Sequence, residues 1–223
     1  MFFRLPGRLN FKLHSPRWSR WQRGLGEVSL LGWMSAVCLL TVLVVYAGFA
    51  FLRPMNLDDI CSVLDAREGW YEAVQKSHSR WGTPIPVMMA IMHQESKFVA
   101  DARPGYKWFL GVIPYARQST AFGYAQALDG VWGDYRSRTG NEQARRDNFA
   151  DAVDFVGWYT RDTERLTGVS RSDAYGQYLA YHEGRSGYRR GSYNQKLWLL
   201  GVAAKVERRM VMYSEQYKRC SAI

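Results

Sequence analysis

From Val28 to Leu52 the chain carries no charged side chain, and no other feature narrows its fold so much. About 20 apolar residues cross the ~30 Å hydrocarbon core of a bilayer as a helix, so this stretch is expected to be a transmembrane helix. Its apolar residues run all the way round instead of forming one stripe, which argues against an amphipathic core helix. Ahead of it stand Arg4, Arg8, Lys12, Arg17, Arg20 and Arg23 against Glu27 alone, and behind it come Arg53, Asp58 and Asp59. Basic residues concentrate on the cytoplasmic side of a span. Residues 1 to 27 therefore read as a basic cytoplasmic leader, 28 to 52 as a transmembrane anchor and 53 to 223 as a domain on the far side. A cleaved signal peptide is the rival reading, with Gly48, Phe49 and Ala50 as a tolerable cleavage site. The long leader, and an apolar run beyond the roughly 7 to 15 residues of a signal h-region, favour the uncleaved anchor.

The domain after the anchor has the length and apolar content for one sizeable core, in a chain of 223 residues that is 47% hydrophobic. Its periodicity is helical. Ile60, Val63, Leu64, Tyr71, Val74 and Trp81 sit near helical spacing, as do Val153, Val156, Tyr159 and Leu166, and as do Leu199, Val202, Ala203, Val206, Met210, Tyr213 and Tyr217. No convincing strand alternation is present, and the fold class expected is all-α. Asp101 to Ser119, with two prolines and two glycines, reads as a long ordered loop and a candidate cleft wall.

Half of the net charge of +10 comes from the leader. No zinc spacing and no RNA-binding signature accompanies the basic balance, so nucleic acid is not the expected partner. An anionic envelope polymer or lipid head groups would suit it. His14, His78, His93 and His182 show no ligand spacing with cysteine or acids, so no metal and no cofactor is expected. Cys38 falls in the apolar run. Cys61 and Cys220 frame the domain and are either a disulfide or two free thiols.

Thr83, Pro84, Ile85 and Pro86 read as a helix start, with Thr83 as cap and Pro84 in the first turn, which predicts a helix over Val87 to Phe98. Met88, Ile91, Met92 and Glu95 then fall at i, i+3, i+4 and i+7 on one stripe. A carboxyl at the edge of an apolar stripe loses hydration and holds its proton toward neutral pH, as a general acid must. A glutamate that merely borders the core and pairs with an arginine is the bland alternative.

Two further motifs follow Glu95-Ser96: Ala121, Phe122, Gly123, Tyr124, Ala125, Gln126, and Ala180, Tyr181, His182, Glu183, Gly184. Together the three resemble, in order, the Glu-Ser pair, the Gly-Leu-Met-Gln-like segment and the Ala-Tyr-Asn-x-Gly-like segment of the soluble lytic transglycosylase family. The resemblance covers about residues 60 to 217. Trp132, and the helix begun by Asp147 and Asn148 with its Gly157, Trp158 and Tyr159, agree with that family. Tyr124 and Ala125 replace the usual Leu and Met, and His182 and Glu183 stand where the family has Asn and a variable residue.

The resemblance implies a lysozyme-like domain, and a reaction in which Glu95 acts twice on peptidoglycan. As acid it would protonate the glycosidic oxygen between N-acetylmuramic acid and N-acetylglucosamine. As base it would then draw the proton from the muramic 6-hydroxyl, closing a 1,6-anhydro ring. Tyr181 would hold Glu95, Ser96 and Gln126 would line the cleft, and Tyr124 would offer a ring face to a sugar or pack inward. If Glu183, Asp101 or Asp129 activated water instead, the protein would be a muramidase. A glycan-binding structural subunit without turnover is the third reading. The preferred expectation is an enzyme of the bacterial inner membrane, N-terminus cytoplasmic and catalytic domain periplasmic, serving an envelope-spanning secretion or conjugation complex.

Overall fold

The computed structural model describes residues 30 to 51 and 55 to 220, in two units divided after Pro54. The basic leader lies outside the described residues. The described residues of the first unit form one helix, α1 (Leu30–Phe51), in the stretch expected to be the anchor. Among the described residues no helix is long and apolar enough to cross a membrane. Membrane anchoring accordingly belongs to the functional proposal and not to the fold.

The second unit holds α2 (Ile60–Asp65), α3 (Trp70–Trp81), α4 (Ile85–Ser96), a hairpin of β1 (Tyr106–Phe109) and β2 (Ile113–Arg117), then α5 (Asp129–Thr139), α6 (Phe149–Thr167), α7 (Ala174–Arg189), a 3-10 turn (Ser192–Gln195) and α8 (Leu197–Cys220). Its core lies wholly within it, from Ile60 to Tyr213, and a disulfide joins Cys61 to Cys220. With its own core and its own cross-link, this unit has what an independently folding domain needs.

At the centre is α4, packed against α8, α6 and α7. Met88, Ile91 and Met92 are fully buried, as the stripe predicts, but Val87, Met89 and Ala90 are fully buried too, so the helix is sheathed on all sides. The helix start differs from the sequence expectation. Pro84 is the N-cap residue and Ile85 opens the helix, with no side-chain cap. The Thr83 hydroxyl turns instead to Thr160 Oγ1, at 2.7 Å, and the Gly157 carbonyl. A buried hydroxyl goes to whichever partner the tertiary packing supplies.

Helix α3 lies along α6, where Ser77 Oγ donates to the Val153 carbonyl at 2.9 Å and Trp81 Nε1 to Asp154 Oδ1 at 2.8 Å. The close approach depends on Gly157, since a Cβ there would come within 2.5 Å of Ser77 Oγ and 2.7 Å of Trp81 Cδ1. Asn148 caps α6 by accepting from the Asp151 N–H.

The domain is mainly helical, as expected, with the hairpin added to the helices. Its strands pair antiparallel with a bulge between Lys107 and Trp108, and nearly every residue is exposed. A ribbon with neither face buried leaves no apolar alternation to read, which is why the segment resembles a loop in sequence. At the tip Val112 N–H bonds to the Phe109 carbonyl at 3.2 Å, across Leu110 at φ 52° and Gly111 at φ 74°. Left-handed backbone costs a leucine roughly 1–2 kcal/mol.

Candidate active site

Glu95 occupies the last turn of α4. The helix stops after Ser96 because Lys97 and Phe98 both take left-handed backbone, φ 55° and 61°, and the Lys97 N–H closes on the His93 carbonyl at 3.1 Å. The end sits two residues earlier than the periodicity predicts. The carboxyl is desolvated between α4 and α7, and that burial pushes its pKa up to about 7, opposed by a hydrogen bond from Tyr178 and by the Lys97 charge. The partial negative charge of a helix C-terminus works in the same direction as burial. Glu95 is thus close to half protonated at neutral pH, able both to give and to take a proton.

The three sequence motifs meet on the backbone of 123 to 126. Ser96 Oγ donates to the Tyr124 carbonyl at 2.7 Å, and Tyr181 Oη donates to the next carbonyl, that of Ala125, at 2.6 Å. Adjacent carbonyls of the middle motif are therefore gripped from α4 and from α7. Gln126 closes the turn on itself, its Nε2 donating to the carbonyls of Ala102 and Gly123 at 2.8 and 2.9 Å. Gly123 is required here: φ is +78°, and a Cβ would lie 2.1 Å from the Arg146 carbonyl oxygen.

These bonds correct several expectations. Ser96 is buried and fixes the loop instead of presenting its hydroxyl to a sugar. Tyr181 gives its hydrogen bond to Ala125, and the hydroxyl on Glu95 is that of Tyr178. Tyr181 still stands within electrostatic reach of Glu95, its own pKa driven well above the usual tyrosine value, by burial first. Tyr124 packs inward, edge-on to Trp70 and Phe149 at 5.8 and 5.6 Å between ring centroids, so it offers no sugar platform.

Beside Tyr181 opens a cleft of about 210 Å³, lined among others by Gln126, Leu128, Val131, Tyr159, Tyr181 and Glu183. Gly184 breaks α7 at its edge with φ 72° and ψ 157°, a conformation essentially confined to glycine. Glu183 is not free for water activation. Lys196 Nζ bonds both its carboxylate oxygens at 2.7 and 2.9 Å, and Ser192 and His182 add further contacts. These partners, Lys196 first, hold its pKa down at about 2, which makes it a very weak base. Asp129 pairs with Arg146 at 2.8 Å, and Asp101 lies exposed. Among the described residues no three His, Cys, Asp or Glu side chains gather about a common point, so none is assigned to a metal or cofactor.

Another cavity lies elsewhere. About 510 Å³ opens between α4 and α8, lined by His93, Lys97, Lys205, Arg208 and Arg209 among others. Glu95 is not among its lining residues. Burial, with Lys97 and Arg209 nearby, lowers the His93 pKa to about 4, leaving a neutral imidazole at pH 7. Glu95 does not line the smaller cleft either, but it stands within electrostatic reach of Tyr181, which does.

Tyr178 is the partner of Glu95 that sequence reading misses. Its one signal is its place three residues before Tyr181, on the same face of α7. Its hydrogen bond favours ionised Glu95, so Tyr178→Phe is expected to raise the pH at which activity declines. The pH profile of kcat/KM on peptidoglycan measures this, and an unmoved profile would mean the hydroxyl does not act on the acid.

A mainly helical domain that buries a protonatable carboxyl within electrostatic reach of a cleft-lining tyrosine has the elements general acid catalysis requires. The chain belongs to the transglycosylase SLT domain family, whose family model matches residues 37–220. Membership supports a peptidoglycan-cleaving function of the lytic transglycosylase type. No curated protein and no solved structure matches the chain.

Proposed function

We propose that the protein is a membrane-anchored lytic transglycosylase that cleaves the β-1,4 bond between N-acetylmuramic acid and N-acetylglucosamine and leaves a 1,6-anhydro end. The observation that carries this reading is a desolvated Glu95 carboxyl hydrogen-bonded by Tyr178, in a domain whose Glu183 carboxylate is bonded through both oxygens to Lys196. One group is poised for both proton transfers. Of the acids that could have activated water, Glu183 is committed to Lys196 and Asp129 pairs with Arg146. Protonated Glu95 gives its proton to the glycosidic oxygen as the bond to the muramic C1 breaks, with the N-acetyl group of the same sugar supporting C1. The carboxylate so formed takes the proton of the 6-hydroxyl as its oxygen closes on C1, and Glu95 is restored. No water enters, in keeping with the substrate-assisted exceptions to the two-carboxylate scheme.

The anchoring belongs to the same proposal. It rests on the uncharged run from Val28 to Leu52 and the six basic residues before it, which place the leader in the cytoplasm and the catalytic domain in the periplasm. A tether to the inner membrane confines cutting to glycan near the bilayer, which suits local opening of the wall for a secretion or conjugation complex.

The test is product analysis by mass spectrometry after incubation with purified peptidoglycan. Anhydro-muropeptides are expected from the wild type and, within about threefold of its rate, from Glu183→Gln, since substitutions away from the reacting groups leave chemistry largely intact. Reducing-end products that disappear in Glu183→Gln would replace the reading with a muramidase. Release of nothing, by a folded protein, would replace it with a binding subunit.

A further inference from the structure

We infer that the β1–β2 hairpin is a membrane-contacting element, inserting its tip into the interface of an anionic lipid bilayer. The tip, Phe109 to Ile113, has no polar side chain, yet Leu110 is 79% and Val112 71% exposed, and Trp108, Phe109, Ile113 and Tyr115 are each more than half exposed. A soluble surface seldom gathers so much contiguous apolar area without something to cover it. Among the described residues nothing does so: no hairpin residue lines the cleft beside Tyr181, and the two strands pair only with each other.

The side chains are graded along the ribbon as a bilayer is graded in depth. The aliphatic tip comes first. Behind it stand Trp108 and Tyr115, ring types that settle at the level of lipid head groups. At the base lie Lys107, Arg117 and Arg103, with Arg117 over the Tyr106 ring at 3.8 Å and Arg103 over the Phe122 ring at 4.2 Å. From Ala102 to Leu128 there is no acidic residue. A protein partner or a second copy would be met by an apolar face of any charge, whereas an apolar tip with a purely cationic base complements anionic head groups over a hydrocarbon interior. Leucine in the left-handed position of the tip, where asparagine or glycine fits without strain, keeps the end of the ribbon apolar.

This contact is independent of α1 and of the acid chemistry, so it is tested on residues 55 to 223, the unit that carries its own core and disulfide. The probe is co-sedimentation with vesicles of phosphatidylethanolamine and phosphatidylglycerol, beside vesicles of phosphatidylcholine alone. The wild type is expected to partition onto the anionic vesicles. The double variant Leu110→Asp, Val112→Asp should lose at least about tenfold in partitioning, by removal of inserted apolar area, with thermal midpoint and peptidoglycan cleavage unchanged. Lys107→Gln should lose about fivefold on anionic vesicles, corresponding to ~1 kcal/mol per basic residue, and nothing on neutral ones. Failure of the wild type to bind, or equal binding by the tip variant, overturns the inference. Self-association that depends on the tip and occurs without vesicles, read by sedimentation velocity, would assign the face to a second copy and overturn it equally. Loss of cleavage in Glu95→Gln leaves vesicle binding untouched, so the two readings fail separately.

Discussion

Glu95→Gln is expected to slow the release of glycan fragments by about 10³-fold, within the 10²–10⁴ range of a positioned general acid. The amide keeps the shape and the hydrogen bond from Tyr178 but has no proton to transfer. The same substitution should change stability in the opposite sense, and only above acidic pH. In the folded protein the carboxyl titrates at about 7, whereas in the unfolded chain it titrates near 4.3. The folded state therefore binds more protons between those values, and wild-type stability falls as pH rises through that window. Above it the penalty is constant, on the order of 3 kcal/mol at 1.36 kcal/mol per unit and smaller to the extent that water reaches the side chain. Glutamine carries no such penalty. Urea unfolding at pH 4 and pH 8 should find the variant close to wild type at the first and more stable at the second, while wild-type cleavage declines above pH about 7. A stability difference that ignores pH would place the carboxyl in water, and an active variant would place the acid elsewhere.

Replacing Cys61 and Cys220 together by serine is expected to lower stability by about 5 kcal/mol, the chain-entropy estimate for a closed loop spanning a sequence separation of 159. Against a domain stability of roughly 5–15 kcal/mol this is a large fraction. The clamp also has polar parts. Gln216 accepts from the Ile60 N–H at 3.1 Å and donates to the Asp58 carbonyl at 2.8 Å, and Arg209 pairs with Asp58 at 2.8 Å. These contacts hold α2 against α8 in the folded protein but do nothing to restrict the unfolded chain, so they do not replace the cross-link. The urea midpoint with and without reductant measures the effect. A loss under about 1 kcal/mol would show that the unfolded chain is held compact by other means.

The helical character of the domain and the buried stripe carrying Glu95 were legible in sequence because both are local. Apolar spacing of three and four residues fixes which face of α4 meets the core wherever its partners come from. The Glu-Ser, Gly-Tyr-Ala-Gln and Ala-Tyr-His-Glu-Gly motifs likewise announced a family through residue order alone. What each polar side chain does was not legible. Ser96 and Tyr181 donate to carbonyls 28 and 56 residues away, Thr83 forsakes its own helix for Thr160, and Glu183 is held by Lys196 from beyond the end of α7. A hydrogen bond takes the nearest well-placed partner, and nearness between distant segments exists only after packing. The hairpin was hidden for the converse reason, since a ribbon exposed on both faces writes no periodic pattern into its residues. Sequence alone thus determined which segments are helical and which carboxyl loses its water. Only the tertiary structure decided that the Tyr178 hydroxyl bonds that carboxyl and the Tyr181 hydroxyl does not, because residues three apart share a helix face but are offset by about 60° around it and about 4.5 Å along it, and the position of α4 and of the 123 to 126 loop selects between them.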